Sequence, residues 1–131
     1  MYRIDEALPS AEEFRELRRA VGWTAPEPEA CRTALRTTVY GVVARHRDRA
    51  VGMARLIGDR GLYLMVVDVA VHPEHQGAGL GRRMVGALTD WARAQGVRHT
   101  LLAAEAGAVP FYESLGFAVQ QDRLMRLTPA G

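Results

Sequence analysis

The sequence predicts an α/β (α+β) fold with the element order β-αα-βββ-α-β-α-ββ. Three observations carry this expectation. Apolar residues recur at strand-like and helix-like spacings in alternating segments along the chain. Two strand-like runs, Val39 to Arg45 and Ala50 to Ile57, flank the polar turn Arg47-Asp48-Arg49, as in a hairpin. A long apolar run, Leu62 to Val71, leads through a short polar turn into a glycine-rich loop that opens an amphipathic helix. The length of 131 residues suits one domain, so residues 1–131 are read as a single unit. A hydrophobic content of 48% suffices for its core.

Taken in order, Tyr2 to Glu6 reads as a short strand. Ser10 and Glu13 have the spacing of a capping box. They open a helix from about Ala11 to Val21, with Phe14, Leu17, Arg18 and Val21 along one stripe, and Gly22 ends it. The proline-rich link Trp23 to Pro28 precedes a second helix reaching about Leu35. After the hairpin, Gly58-Asp59-Arg60-Gly61 is a turn, and the continuity of Leu62 to Val71 suggests a strand buried on both faces. Leu80 to Ala94 is a helix whose buried side carries Leu80, Met84, Ala87, Leu88 and Trp91, and Gly96 terminates it. Arg98 to Ala104 is a strand, and Pro110 to Leu115 a short helix ended by Gly116. Phe117 to Gln120 and Arg123 to Leu127 complete the order as a final pair of strands.

The loop between strand and helix carries the chemistry. In Gln76-Gly77-Ala78-Gly79-Leu80-Gly81-Arg82 three glycines alternate, so no Cβ keeps a ligand from the backbone. The first amides of the following helix lack intrahelical partners and sit at the positive end of its dipole, which suits phosphate. A dinucleotide fingerprint fails because its third glycine would fall on Arg82. A P-loop fails because the chain contains no lysine. What remains is Gln-x-x-Gly-x-Gly, formed by Gln76, Gly79 and Gly81. This resembles the acyl-CoA pyrophosphate loop of the GCN5-related N-acetyltransferase (GNAT) superfamily. A second segment, Phe111-Tyr112-Glu113-Ser114-Leu115-Gly116-Phe117, is similar to the Phe-Tyr-x-x-x-Gly-Phe signature of that superfamily. The two segments lie about 30 residues apart in the family's order. The element order matches as well, so the resemblance spans nearly the whole chain and is weakest over the first 35 residues.

The resemblance implies a central mixed, mostly antiparallel sheet flanked by helices, and transfer of an acetyl group from acetyl-CoA to an amine. It places cofactor contacts at Val69, Ala70 and Val71, whose backbone would pair with the pantetheine arm. The pyrophosphate would lie on Gln76, Gly77, Ala78, Gly79, Leu80, Gly81 and Arg82. Arg82 or Arg83 would add a cationic contact, although a solvated helix face explains an arginine equally well. A phenol stays protonated at neutral pH, since its ordinary pKa is about 10, so Tyr112 suits the acid that protonates the departing thiolate.

The base is less defined. Asp68 is the only carboxylate within Leu62 to Val71, and a charge in an apolar run is costly unless used or paired. Base, amine anchor and structural hydrogen-bond acceptor stay open for it. Many family members carry asparagine seven residues before the tyrosine; here that position is Glu105, which would face either the acceptor or solvent. Trp23, Tyr40 and Tyr63 are candidates for an acceptor pocket or for the core. His72 and His75 lack the His-Glu-x-x-His pattern, so no metal is expected.

Composition narrows the partners. The net charge is +2, and all 17 basic residues are dispersed arginines. No basic run is interleaved with aromatics, so no nucleic-acid surface is expected. No run of ~18 apolar residues suggests a membrane span, and the first residues do not form a signal peptide. Cys31 alone makes no internal disulfide, so the cytoplasm is the default location and Cys31 reads as a small core residue. The leading expectation is an acetyl-CoA-dependent N-acetyltransferase for a small-molecule amine. A non-catalytic CoA-binding module and a protein acetyltransferase are the alternatives. The oligomeric state stays open, with a homodimer common in the resembling family.

Overall fold

The computed structural model describes residues 1–130. Strands β1 (Tyr2–Asp5), β2 (Tyr40–His46), β3 (Arg49–Gly58), β4 (Tyr63–Val71) and β5 (His99–Leu101) form one sheet in the order β1-β2-β3-β4-β5. Neighbours pair antiparallel except β4 and β5, which are parallel. That pair needs a crossover, and α3 (Leu80–Gln95) supplies it. Helices α1 (Ala11–Ala20) and α2 (Pro28–Arg36) lie between β1 and β2, and α4 (Val109–Glu113) follows β5.

Local chemistry fixes the entry to α1. Ser10 Oγ accepts the Glu13 amide at 3.1 Å while Glu13 accepts the Ser10 amide at 2.9 Å, which completes the capping box. Glu13 also takes Arg45 Nη1 of β2 at 2.9 Å, so one carboxylate both caps the helix and docks it on the sheet. At the hairpin, Arg47 and Asp48 both adopt positive φ (50° and 66°), as a two-residue loop requires. After β3, Asp59 Oδ1 accepts the amides of Gly61, Leu62 and Tyr63 and fixes the turn into β4.

The sheet has a core on each face. On one, Leu80, Met84, Leu88 and Ala92 of α3 pack on Val42, Ala54, Leu56, Leu64 and Val66. On the other, Phe14, Leu17, Cys31 and Leu35 of α1 and α2 pack on Val43, Met53 and Ala70. The register explains how β4 serves both. Met53 faces Ala70 but Arg55 faces Val67, so Asp68 and Val69 together oppose Ala54 in a β-bulge. Asp68 takes φ +54°, uncommon for a residue with a Cβ. The extra residue reverses the alternation of faces. Leu64 and Val66 point toward α3 before it, and Ala70 points toward α1 and α2 after it.

Three expectations change. The strand Leu62 to Val71 is not buried on both faces: Leu64, Val66 and Ala70 are buried, but Tyr63 is exposed and the intervening residues are only partly covered. Strand β5 stops at Leu101 rather than Ala104, because the chain diverges from β4 there. The final pair of strands, 117–120 and 123–127, is not formed; this segment pairs with no strand of the sheet and is exposed from Ala118 on.

The Arg45 guanidinium holds the Glu13 carboxyl below its ordinary range against the opposing effect of burial, and Ser10 adds to the lowering. The folded value lies below the unfolded one, so this contribution is complete above the unfolded carboxylate range and is lost as pH falls through the folded value. Urea unfolding between about pH 5 and pH 2 should therefore show a steeper loss of stability in the wild type than in Glu13→Gln.

Candidate active site

Strands β4 and β5 pair only from Tyr63–His99 to Met65–Leu101. Beyond that they splay, and a cleft of about 610 Å³ opens between them. One wall is β4 from Met65 to Val71, and the other is the segment Leu102 to Glu105. Arg18 and Trp23 close one end, and Tyr112 and Gln76 lie at the other walls. Past Met65 one edge of β4 has no strand partner, so its peptide groups there are available to an extended ligand. Val69, Ala70 and Val71 are on this wall, where the resemblance places them.

Gln76 follows a 3-10 turn, Pro73–His75. Its Nε2 donates to the Val71 carbonyl at 3.1 Å and ties the loop to the end of β4. Gly77 and Gly79 have φ of +89° and +78°, a conformation that glycine adopts without strain. A Cβ at either would meet no atom within 4 Å, so conformation, and not crowding inside the protein, explains both glycines. The first bond of α3 runs from the Arg83 amide to the Gly79 carbonyl at 3.1 Å. The amides of Leu80, Gly81 and Arg82 precede it and lack helical acceptors. Leu80 is buried and anchors this turn in the core.

Arg82 is exposed but tethered. Its Nη2 donates to Ser114 Oγ at 2.6 Å, and its guanidinium lies 6.0 Å from the Phe111 ring centroid. It thereby ties the loop's helix to α4. Arg83 is exposed beside it. Tyr112, on α4, is half-buried edge-on to Phe111 and Phe117, with centroids 5.0 and 5.9 Å away. Burial raises its hydroxyl above the ordinary phenol value, so it stays protonated at neutral pH.

Asp68 is held by two arginines. One carboxylate oxygen accepts Arg18 Nη1 at 2.5 Å and the other accepts Arg55 Nε at 2.8 Å. Arg55 Nη1 also reaches Thr38 Oγ1 at 3.0 Å, and Arg18 Nε donates to the Thr24 carbonyl at 2.9 Å. Both guanidiniums lie over the Phe14 ring, and Arg18 lies 5.3 Å from the Trp23 ring centroid. Of the three carboxylate roles open from sequence, this geometry matches the structural acceptor. Arg18 and Arg55 belong to no motif. Their signal was positional: a charge on the apolar stripe of α1, and another inside an apolar strand.

Among the other candidates, Trp23 and Glu105 line the cleft. Tyr40 instead stacks on Trp91 at 4.8 Å, and Tyr63 on His99 at 4.9 Å. His72 Nδ1 caps the Glu74 amide, and His75 bonds the Tyr2 hydroxyl at 2.9 Å. Among the described residues no group of His, Cys, Asp and Glu is placed to hold a metal ion, and no helix is long and apolar enough to cross a membrane.

A mixed sheet splayed between two parallel strands, with Gln76 lining the splay and a glycine loop opening α3 after it, presents a free strand edge and a helix N-terminus. The chain belongs to the Acetyltransferase (GNAT) family, whose model matches residues 5–117. It is 30% identical over 112 residues to an uncharacterized ycf52-like N-acetyltransferase of Prochlorococcus marinus, a match covering 82% of this chain and 62% of that protein. It is 42% identical over 76 residues to the chloroplastic serotonin N-acetyltransferase 2 of Oryza sativa subsp. japonica, covering 58% of this chain and 38% of that protein. Its fold superposes with a TM-score of 0.91 and 25% identity on a probable acetyltransferase of meticillin-resistant Staphylococcus aureus, covering 98% of this chain and all of that one. The chain thus spans less than two thirds of the length of the ycf52-like relative.

Removing the Asp68 carboxylate would leave two guanidiniums facing each other in a mostly buried site. Asp68→Ala should lower unfolding free energy by about 3 kcal/mol, measured by urea denaturation. Combining it with Arg18→Met should recover part of that loss.

Proposed function

We propose that this chain is an acetyl-CoA-dependent N-acetyltransferase that transfers acetyl to the primary amine of a small molecule by direct attack. The observation that carries this reading is one cleft lined by a free strand edge, by Gln76 at the head of the glycine loop and by Tyr112. In this reading the pyrophosphate lies on the amides from Gly77 to Arg82, and the pantetheine arm runs along Val69, Ala70 and Val71. A backbone amide of that strand polarises the thioester oxygen.

The amine nitrogen attacks the thioester carbonyl carbon and forms the new C–N bond. The C–S bond then breaks, the Tyr112 hydroxyl gives its proton to the departing sulfur, and the second proton lost by the nitrogen restores that hydroxyl through water. Asp68, with both oxygens engaged by arginines, serves as the anchor of the bulged strand, and not as the base. Glu105 is the remaining carboxylate of the cleft, and it receives the ammonium group of the acceptor and the proton it releases, directly or through water. Trp23 and Val21 offer apolar surface to the acceptor's body. An amine carrying an aromatic or aliphatic group fits that lining, and the similarity to the rice serotonin enzyme supports the same class.

The test is CoA release from acetyl-CoA with a panel of small amines. Tyr112→Phe should lower kcat roughly 100-fold with little change in the KM for acetyl-CoA. The raised hydroxyl pKa puts the wild type's alkaline loss of rate above about pH 10, and the variant should lack that limb. Tight acetyl-CoA binding without turnover on any amine or peptide would indicate a binding module instead. Failure to bind acetyl-CoA would overturn the reading.

A further inference from the structure

We propose that Arg18 recognises a carboxylate on the acceptor amine, an assignment that rests on the acetyltransferase reading of the cleft and narrows its substrate class. The fold leaves one charge there uncompensated. Arg18 and Arg55 share a single carboxylate, Asp68, and among the described residues neither has another ion-pair partner. The three side chains together carry one net positive charge. One arginine could have engaged both carboxylate oxygens, because its planar fork matches them. The second cation is more than Asp68 needs.

The excess lies at the cleft. The Arg18 side chain is 22% exposed against 12% for Arg55, and Arg18, not Arg55, lines the cleft. Its Nε donates to the Thr24 carbonyl and its Nη1 to Asp68. Among the described residues nothing accepts from its Nη2, and no buried side-chain nitrogen is left without a partner, so Nη2 is accessible and not enclosed. The rings of Phe14 and Trp23, with centroids 5.8 and 5.3 Å from the guanidinium carbon, hold the group from two further sides. A guanidinium fixed in this way, with one nitrogen free, is a preformed anion contact that loses little freedom when it binds.

Position separates this anion from those of the donor. The phosphates of CoA are assigned to the loop that begins at Gln76, whereas Arg18 closes the cleft together with Val21 and Trp23. Glu105 stands on the wall opposite β4. The cleft thus offers one cation and one free carboxylate, and it suits an acceptor of matching polarity. The ammonium group goes to Glu105, the carboxylate to Arg18, and the apolar body to Val21 and Trp23. One excess positive charge calls for one negative charge, which a carboxylate supplies.

Matched pairs of amines test this: phenylalanine against phenethylamine, and aminocaproate against pentylamine, each pair differing by the carboxylate alone. With acetyl-CoA as donor, the carboxylated member of at least one pair should have a KM lower by about 30-fold, the size of one charge-assisted hydrogen bond. The advantage should shrink as salt is raised. Arg18→Met should abolish it through KM, so that both members of the pair are used alike. Arg18→Lys keeps a cation beside Asp68 but offers no second nitrogen, so it tests the same point with the buried pair retained and should lose most of the advantage. Calorimetry with phenylpropionate, which has the body and the carboxylate but no amine, should show binding to the wild type that both variants lose. Turnover of plain amines with no Arg18-dependent gain from the carboxylate would overturn the inference and leave the acetyltransferase reading standing. Arg18-dependent binding of phenylpropionate with no turnover on any amine would do the opposite. A preference for succinyl-CoA over acetyl-CoA that Arg18→Met removes would put the carboxylate on the donor and overturn its assignment to the acceptor.

Discussion

One carboxylate between two guanidiniums holds the site together. Asp68 sits where β4 carries one residue more than β3, in a backbone conformation that costs free energy for a residue with a Cβ. Its two arginines come from different elements, α1 and β3, and through Thr38 the network also reaches the end of α2. Phe14 lies under both guanidiniums and belongs to the core below them. The ion pairs, the helix positions and the bulge are therefore mutually dependent. Burying three charges costs desolvation that only good geometry offsets, and here each carboxylate oxygen has its own donor.

The bulge in turn shapes the cleft. A regular β4 would keep one face toward α3 along its whole length. The extra residue turns the second half over, so that Val69 and Val71 pack toward the α3 core and Ala70 toward the α1 and α2 core. The same region is where β5 parts from β4 and where a strand edge is left unpaired. A single 3-10 turn, Pro73–His75, separates this strand from the loop: Gln76 ties back to Val71, and the two left-handed glycines lead into α3. Arg82 links the start of α3 to α4, so the glycine loop and Tyr112 share one mechanical unit.

Much of this was legible in the sequence, for identifiable reasons. Helix caps, turns and loop glycines are local, and the chain states them directly: Ser10 with Glu13, Arg47-Asp48, Gly77 and Gly79. The cleft was legible only through the pairing of two motifs, because Gln76 to Arg82 and Tyr112 come together by tertiary packing. The role of Asp68 was not legible. A lone carboxylate in an apolar strand fits a base or a buried ion pair, and its partners lie 50 residues before it on a helix and 13 residues before it on a strand. Burial of β4 was misread because continuous apolar character cannot distinguish a strand covered on both faces from one with an open cleft on one side. The last two strands were expected from alternation alone, which marks the capacity to pair but not the edge that is met.

The bulge also acts as a partition. Upstream of Asp68, the outward residues Met65 and Val67 of β4 look toward the side where Arg18, Val21 and Trp23 close the cleft. Downstream, the strand serves the loop and the helix start. Substitutions that reshape that end of the cleft can therefore accumulate at Val21, Trp23, Met65 and Val67, provided that Arg18 keeps its hold on Asp68. Under the proposed function, a chain built this way can change what it acetylates while keeping how it holds the acetyl donor, and a single-residue deletion at the bulge would remove that independence.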